Sequence, residues 1–252
     1  MRGLTFGGCD HAGMPSVLVL GARNLGGAIL DHLLSAGWNG AAVARSAETL
    51  DRVRARGAVA LQADASDPAA LREAIAQAGA ELDGLDLLVN AVTASRATGS
   101  GPFGGGPIAD ATLDAWRGWG GAVAEQGFAF LSEGARALRE QGRGGTLVQV
   151  TGGSARRAMP GRGLWSAGAQ AVRALVHAAA QELREDGIHV ALLVVDATIE
   201  SPKTAGSTRD RPRHALADQE EIARAVAYLA GQSPRGWTHE LTVTPSGDRW
   251  TP

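Results

Sequence analysis

Residues 16–37, SVLVLGARNLGGAILDHLLSAG, constrain this chain more than any other stretch. Val17, Leu18, Val19 and Leu20 form an unbroken apolar run, the pattern of a central parallel strand covered on both faces. Gly21 and then Gly26-Gly27 bracket a tight turn, and Ile29, Leu30, Leu33 and Leu34 fall on one side of the helix that follows. Glycines at such a turn let backbone N–H groups approach a pyrophosphate, and the helix N-terminus adds partial positive charge. Gly21, Arg23, Asn24, Leu25 and Gly26 therefore read as a phosphate cradle for a dinucleotide. The same residues also suit a strand–turn–helix that binds nothing.

Composition narrows the field. A chain of 252 residues has room for one large α/β domain. A net charge of −2 without a basic block argues against nucleic acid as the main partner, and no apolar run reaches the length of a membrane span. Residues 1–14 lack the apolar core of a secretory signal and are expected to be a flexible extension, with the domain occupying 15–252. Cys9 is the sole cysteine, which fits a cytoplasmic protein without disulfides or thiolate metal sites. The six histidines show no HExxH spacing, and no metal is expected. Tyr228 is the only tyrosine and Lys203 the only lysine, so a neighbouring Tyr–Lys pair is excluded.

From residue 16 onward, strand and helix patterns alternate, which predicts a doubly wound parallel sheet in three α/β/α layers. A second strand over 41–44 ends at Arg45-Ser46. In dinucleotide folds an acid here binds the adenosine ribose, whereas Arg accommodates a 2′-phosphate. With Arg45 present and Arg23 in the glycine turn, the charge favours NADP(H) over NAD(H); solvated surface arginines are the alternative. After a third strand over 59–62, Asp64 and Ala65 stand where an adenine is bound, and Asp67-Pro68 reads as a helix cap. A helix over 69–80 and a fourth strand over 85–91 follow, placing Asn90 and Ala91 at the sheet edge. Residues 94–106 are too glycine-rich for regular structure and read as a linker bordering the crevice. A helix is expected over 112–139, with Trp116, Trp119, Phe128 and Phe130 as packing residues.

The series VLVLGARNLGG, AVARS, LQADASD and LDLLVNA resembles the short-chain dehydrogenase/reductase family in order and spacing. The resemblance continues through GGTLVQVTGGS, MPGRGLWSAGA and DGIHVALLVVDATIES to GWTHELTV. It implies a single Rossmann-like domain that binds NAD(P) and transfers hydride between nicotinamide and a carbonyl or alcohol. The chain also departs from the pattern. Its glycine turn is one residue shorter and lacks the middle glycine, the NNAG after the fourth strand reads Asn90-Ala91-Val92-Thr93, and the Pro-Gly after the sixth reads Asp196-Ala197.

The resemblance locates catalysis between residues 146 and 184. The family uses a Ser after the fifth strand, a Tyr-x-x-x-Lys on the next helix and an Asn on the preceding one. The cation lowers the phenol pKa, so that Tyr exchanges the substrate proton while Ser holds the carbonyl. In this chain Gly152 falls at the Ser position, Trp165 at Tyr and Ala169 at Lys, and the preceding helix has no Asn. The tetrad is thus expected to be missing. Asp196, at the end of the sixth strand, is the best replacement acid, and Ser154 is a second candidate. Arg156 and Arg157 read either as anion binders or as solvated loop residues. Thr151 and Ser201 match positions that meet the cofactor. Residues 202–218 have no apolar pattern and are expected to be a mobile lid or disordered, and Tyr228 to be a packing residue.

Three functions stay open: an NADP(H)-binding protein with little or no catalysis, an atypical oxidoreductase acting on a small carbonyl or alcohol, and a structural paralogue without cofactor. A small-molecule ligand and assembly into a homo-oligomer are expected; nucleic acid and membrane are not.

Overall fold

The computed structural model describes residues 13–92 and 101–248. The apolar run becomes β1 (Ser16–Leu20), in which Val17, Leu18 and Val19 are wholly buried. It is an interior strand, third in order, of a seven-stranded sheet with β2 (Asn39–Ala44), β3 (Val59–Gln62), β4 (Leu87–Asn90), β5 (Gly145–Gly152), β6 (Ile188–Val195) and β7 (Glu240–Val243). The order is β3-β2-β1-β4-β5-β6-β7, and every neighbouring pair is parallel. Successive connections run outward from β1 on one side and outward from β4 on the other. Leu20 lies opposite Asn90 at this reversal, where doubly wound sheets open a crevice beyond their carboxyl ends.

Helices α1 (Leu25–Ser35), α2 (Ala47–Ala55) and α8 (Gln219–Ala230) cover one face. On the other lie α3 (Pro68–Glu81), α5 (Ala122–Gln141) and α6 (Gly163–Glu182). Short α4 (Leu113–Trp116) and α7 (Ala205–Thr208) sit in connections. The odd–even alternation of the strands divides the core between these faces: Leu18 and Leu20 join one cluster, Val17 and Val19 the other. As the sequence predicts, Asp67 caps α3, accepting from Ala69 N at 2.9 Å and Ala70 N at 3.3 Å, with Pro68 in the first turn. Among the described residues no helix is long and apolar enough to cross a membrane.

Four local expectations change. The helix foreseen over 112–139 is interrupted by a π-helical turn, Arg117–Gly121, between α4 and α5. Gly120 within it makes room for the Trp116 ring, while Trp119 and Phe130 are buried and Trp116 and Phe128 are exposed. Residues 202–218 are structured, although they lack an apolar pattern. Thr204 Oγ1 donates to Ile199 O at 2.6 Å, Arg211 donates to Thr198 Oγ1 at 2.8 Å and Ala215 O at 2.9 Å, and Glu200 N meets Ala217 O at 2.9 Å. Polar side chains hold this segment where a hydrophobic stripe would hold a helix. Tyr228 is 56 % exposed on α8, and so is not a packing residue. Most of the expected 1–14 extension and residues 94–100 of the glycine-rich stretch lie outside the described residues. Its remainder, 101–106, is folded against the start of α6, with Gly106 N donating to Gly161 O at 3.1 Å.

Candidate functional site

A cleft of about 810 Å³ follows the carboxyl ends of the strands from the start of α2 to the start of α6. Its size falls in the range of small-molecule and cofactor sites, roughly 300–1,000 Å³. Gly21, Arg23, Asn24, Leu25, Arg45, Ser46, Asp64, Ala65, Ala91, Thr151 and Ser201 all line it. Gly26 and Asn90 do not line the cleft; each stands behind the wall and supports it.

At the first end the backbone does most of the work. Gly21 has φ +89°, and a side chain there would press on Ala91 and Val92 at 3.1–3.3 Å. Gly26 sits so close under the turn that an added Cβ would lie 2.5 Å from Gly21 O, so this glycine sets the distance between strand end and helix. α1 begins at Leu25 with Asn24 giving no side-chain cap, whereas Ser46, Asp67 and Asp218 cap α2, α3 and α8. The helix that opens on the cleft thus keeps its first N–H groups and partial positive charge for a phosphate. The shortened turn without a middle glycine thus still leads into a helix start that no side chain caps.

Beyond β2 and β3, Arg45 approaches Asp64 at 3.5 Å. Ser66 holds the Asp64 carboxyl below the usual range, donating to Oδ1 from its hydroxyl at 2.6 Å and its backbone N–H at 3.0 Å; burial opposes this, and Arg45 adds to the lowering. Asp64 is the one acid lining the cleft among the described residues, against the cations Arg23, Arg45, Arg162 and Lys203. The cleft therefore favours anionic ligands.

The other end has a different floor and wall. Asn90, fully buried, forms a reciprocal amide pair with Gln126 at 2.9 and 3.2 Å and donates its second N–H to Gln149 Oε1 at 2.8 Å. Its Oδ1 also accepts from Val92 N at 3.2 Å. Gln126 and Gln149 line the cleft while buried, so three amides from β4, α5 and β5 make a polar floor under it. Sequence reasoning missed both glutamines. The available signal was Gln149, a polar residue within an otherwise apolar strand, TLVQV. Above the floor, Gly152 ends β5 and Trp165 stands on the first turn of α6, both lining the cleft. Ala169, one turn further on, is buried and outside it.

The two replacement candidates are not brought to the cleft. Asp196 points beneath the turn Gly153–Ala155, where a side chain at Gly153 would occupy the space of its carboxylate. Arg157 grips that carboxylate through both oxygens at 2.6 and 3.2 Å. A buried carboxylate so engaged is an anchor for the turn, which corrects its reading as a proton donor. Ser154 lies within the same turn and also outside the cleft lining. Arg156 is likewise engaged, donating to Glu240 at 2.9 Å and Thr242 at 3.2 Å, so the loop arginines brace β7 and β6. Burial would raise the Glu240 pKa, but Arg173, His177 and Arg156 together outweigh burial and hold it low. Tyr228 and the cleft have no contact, whereas Lys203, from the segment after β6, lines it.

A model of the family described as enoyl-(acyl carrier protein) reductase matches residues 20–247. The chain is similar to the farnesol dehydrogenase of Aedes aegypti, 23 % identical over 249 residues, covering 95 % of this chain and 98 % of that one. Among solved structures, a short-chain dehydrogenase/reductase from Serratia marcescens is 26 % identical with a TM-score of 0.75, over 92 % of this chain and 97 % of that one. The alcohol dehydrogenase of the archaeon Thermococcus sibiricus, complexed with 5-hydroxy-NADP, is 20 % identical with a TM-score of 0.77, over 95 % of this chain and 100 % of that one. Sheet order, cleft position and family match agree: this chain belongs to the short-chain dehydrogenase/reductase family of oxidoreductases.

Proposed function

We propose that this protein binds NADP(H) in the cleft and carries out little ordinary carbonyl reduction there. The observation that carries this reading is Trp165. It stands on the cleft wall one helical turn before a buried Ala169, with no tyrosine or lysine on α6. An indole offers a neutral N–H and cannot serve as a titrating acid. With Asp196 committed to Arg157, neither of these residues supplies a proton to a developing alkoxide.

Binding is the part the remaining residues suit. The uncapped start of α1 would hold the pyrophosphate, and Arg45 and Arg23 would hold the 2′-phosphate. Thr151 and Ser201, which also line the cleft, would meet the far half of the dinucleotide. When bound, the nicotinamide supplies hydride chemistry. The protein's own residues hold it, exclude water with Trp165 and Val172, and present the amide floor. The complex of the Thermococcus relative with 5-hydroxy-NADP supports this choice of cofactor.

Calorimetric titration of NADPH and NADH tests the reading. NADPH is expected to bind more tightly, and Arg45→Ala to weaken NADPH by about 10- to 100-fold, the worth of a charged hydrogen bond, while leaving NADH nearly unchanged. Equal affinities for both cofactors would overturn the NADP(H) assignment. Robust NADPH oxidation with ketones, quinones or imines would overturn the claim of weak catalysis. One observation favours the atypical-oxidoreductase reading as a second choice: Lys203 brings an ionisable proton donor to the cleft wall. Turnover abolished by Lys203→Met would establish it. Phe128, exposed on α5, supports self-association through that helix, which light scattering at micromolar concentration tests directly.

A further inference from the structure

Gly104, Gly105 and Gly106 all have left-handed φ, between +81° and +97°. They turn the chain tightly over the start of α6: Trp165 N donates to Gly104 O at 3.4 Å, and side chains at Gly104 or Gly105 would run into Arg162 or Leu164. The product of this fold-back is an aromatic wall. The Phe103 ring meets Trp165 edge to face at 4.9 Å and Trp119 edge to face at 5.3 Å, and the two indoles lie 6.0 Å apart. Trp119 is buried behind the wall, whereas Phe103 and Trp165 line the cleft. Phe103 is 57 % exposed, yet two indoles fix its orientation, as expected of a preorganised contact surface.

Arg162 stands over Phe103 with its guanidinium carbon 5.1 Å from the ring centroid. It lines the cleft, is half-buried, and has no carboxylate within salt-bridge distance among the described residues. The arginines of the neighbouring turn differ, for Arg156 and Arg157 are each matched to an acid. A partly desolvated guanidinium is best satisfied by an anion that brings two acceptor oxygens in its plane. Lys203 reinforces the positive charge, and Asp64, the lining acid, is engaged by Arg45 and Ser66.

We infer that this end of the cleft is a subsite for an aromatic carboxylate, its ring against Trp165 and Phe103 and its carboxylate on Arg162. The inference rests on the reading of the cleft as a ligand site, and it does not require that the cofactor be NADP(H). Dinucleotide and aromatic acid are therefore titrated separately, and then together, by calorimetry on the full chain.

The probes are 2-naphthoate, the neutral isostere 2-naphthylmethanol and the non-aromatic cyclohexanecarboxylate. In the wild type 2-naphthoate is expected to bind at least about 10-fold more tightly than either of the others. Arg162→Gln should erase the preference for the acid over the alcohol, and Arg162→Lys should keep part of it. Trp165→Ala should weaken acid and alcohol alike. Equal binding of 2-naphthoate and 2-naphthylmethanol by the wild type overturns the inference without recourse to any variant, as does absence of 2-naphthoate binding. Naphthoate binding without NADPH binding would instead sink the cofactor reading and leave this subsite standing.

Discussion

The two ends of the cleft are built by opposite means. At the first, Gly21, Arg23, Asn24 and Leu25 are consecutive or nearly so, and Arg45 and Asp64 follow at the ends of the next two strands. At the second, the floor and wall draw on residues 90, 103, 119, 126, 149, 162 and 165, from strands, helices and a glycine turn. The first end exposes backbone N–H groups and flexible cations. The second is rigid: rings packed edge to face over amides that satisfy one another. A local motif suffices to present backbone N–H groups, because a strand, a glycine and a helix start follow one another in the chain. Discrimination between side groups needs side chains converging from distant parts of the chain.

Breaking the floor should have the largest effect. Asn90→Ala removes its hydrogen bonds to both glutamines and leaves their amides without that partner, at a cost of about 4 kcal/mol in urea unfolding. A loss below about 1 kcal/mol would mean that water replaces Asn90 freely, and the floor would then be no more rigid than the cradle. Next comes the cradle itself. Gly26→Ala puts a methyl against Gly21 O and should cost about 2 kcal/mol while weakening any dinucleotide, since strand end and helix must separate. Unchanged stability and affinity would show that the turn adapts, and the contrast between a backbone-built and a side-chain-built end would fail.

A third prediction uses the opposite edge of the sheet as a control. His189, at the start of β6, is stacked on Trp237 at 5.2 Å, and its Nε2 lies 3.0 Å from Thr238 O. Burial is the main cause that pulls its pKa below 6.5, with the neighbouring His239 adding to it against the bond to Thr238. The folded state thus holds fewer protons at this site than the unfolded chain. The stability it contributes is present above pH 6.5 and is lost as pH falls below it. Urea midpoints should drop between pH 7.5 and 5.5, and the drop should be smaller in His189→Gln. A flat profile would refute the assignment. Smallest of all, Gly79→Ala in α3, with nothing near its added methyl, should stabilise by about 0.5–1 kcal/mol and touch neither end of the cleft.

Much of this molecule is legible in its sequence. The apolar run 17–20, the alternation of strand and helix patterns, Pro68 behind Asp67, and Gly21 with Gly26 prescribe a doubly wound sheet with a phosphate-sized turn at its reversal. Each is a short-range consequence of steric and hydrogen-bonding rules. Arg45 and Asp64 are legible as well, since they follow β2 and β3 at the carboxyl edge of the sheet. Tertiary structure alone decided that Asp196 faces Arg157 rather than the cleft, because a side chain at a strand end chooses its face by what packs beside it, here Gly153. It also decided that polar contacts order residues 202–218, and that Gly104–Gly106 fold Phe103 onto Trp165. Hydrogen bonds and ring contacts that follow no helix or strand repeat, some of them between residues dozens of positions apart, leave no period in the sequence.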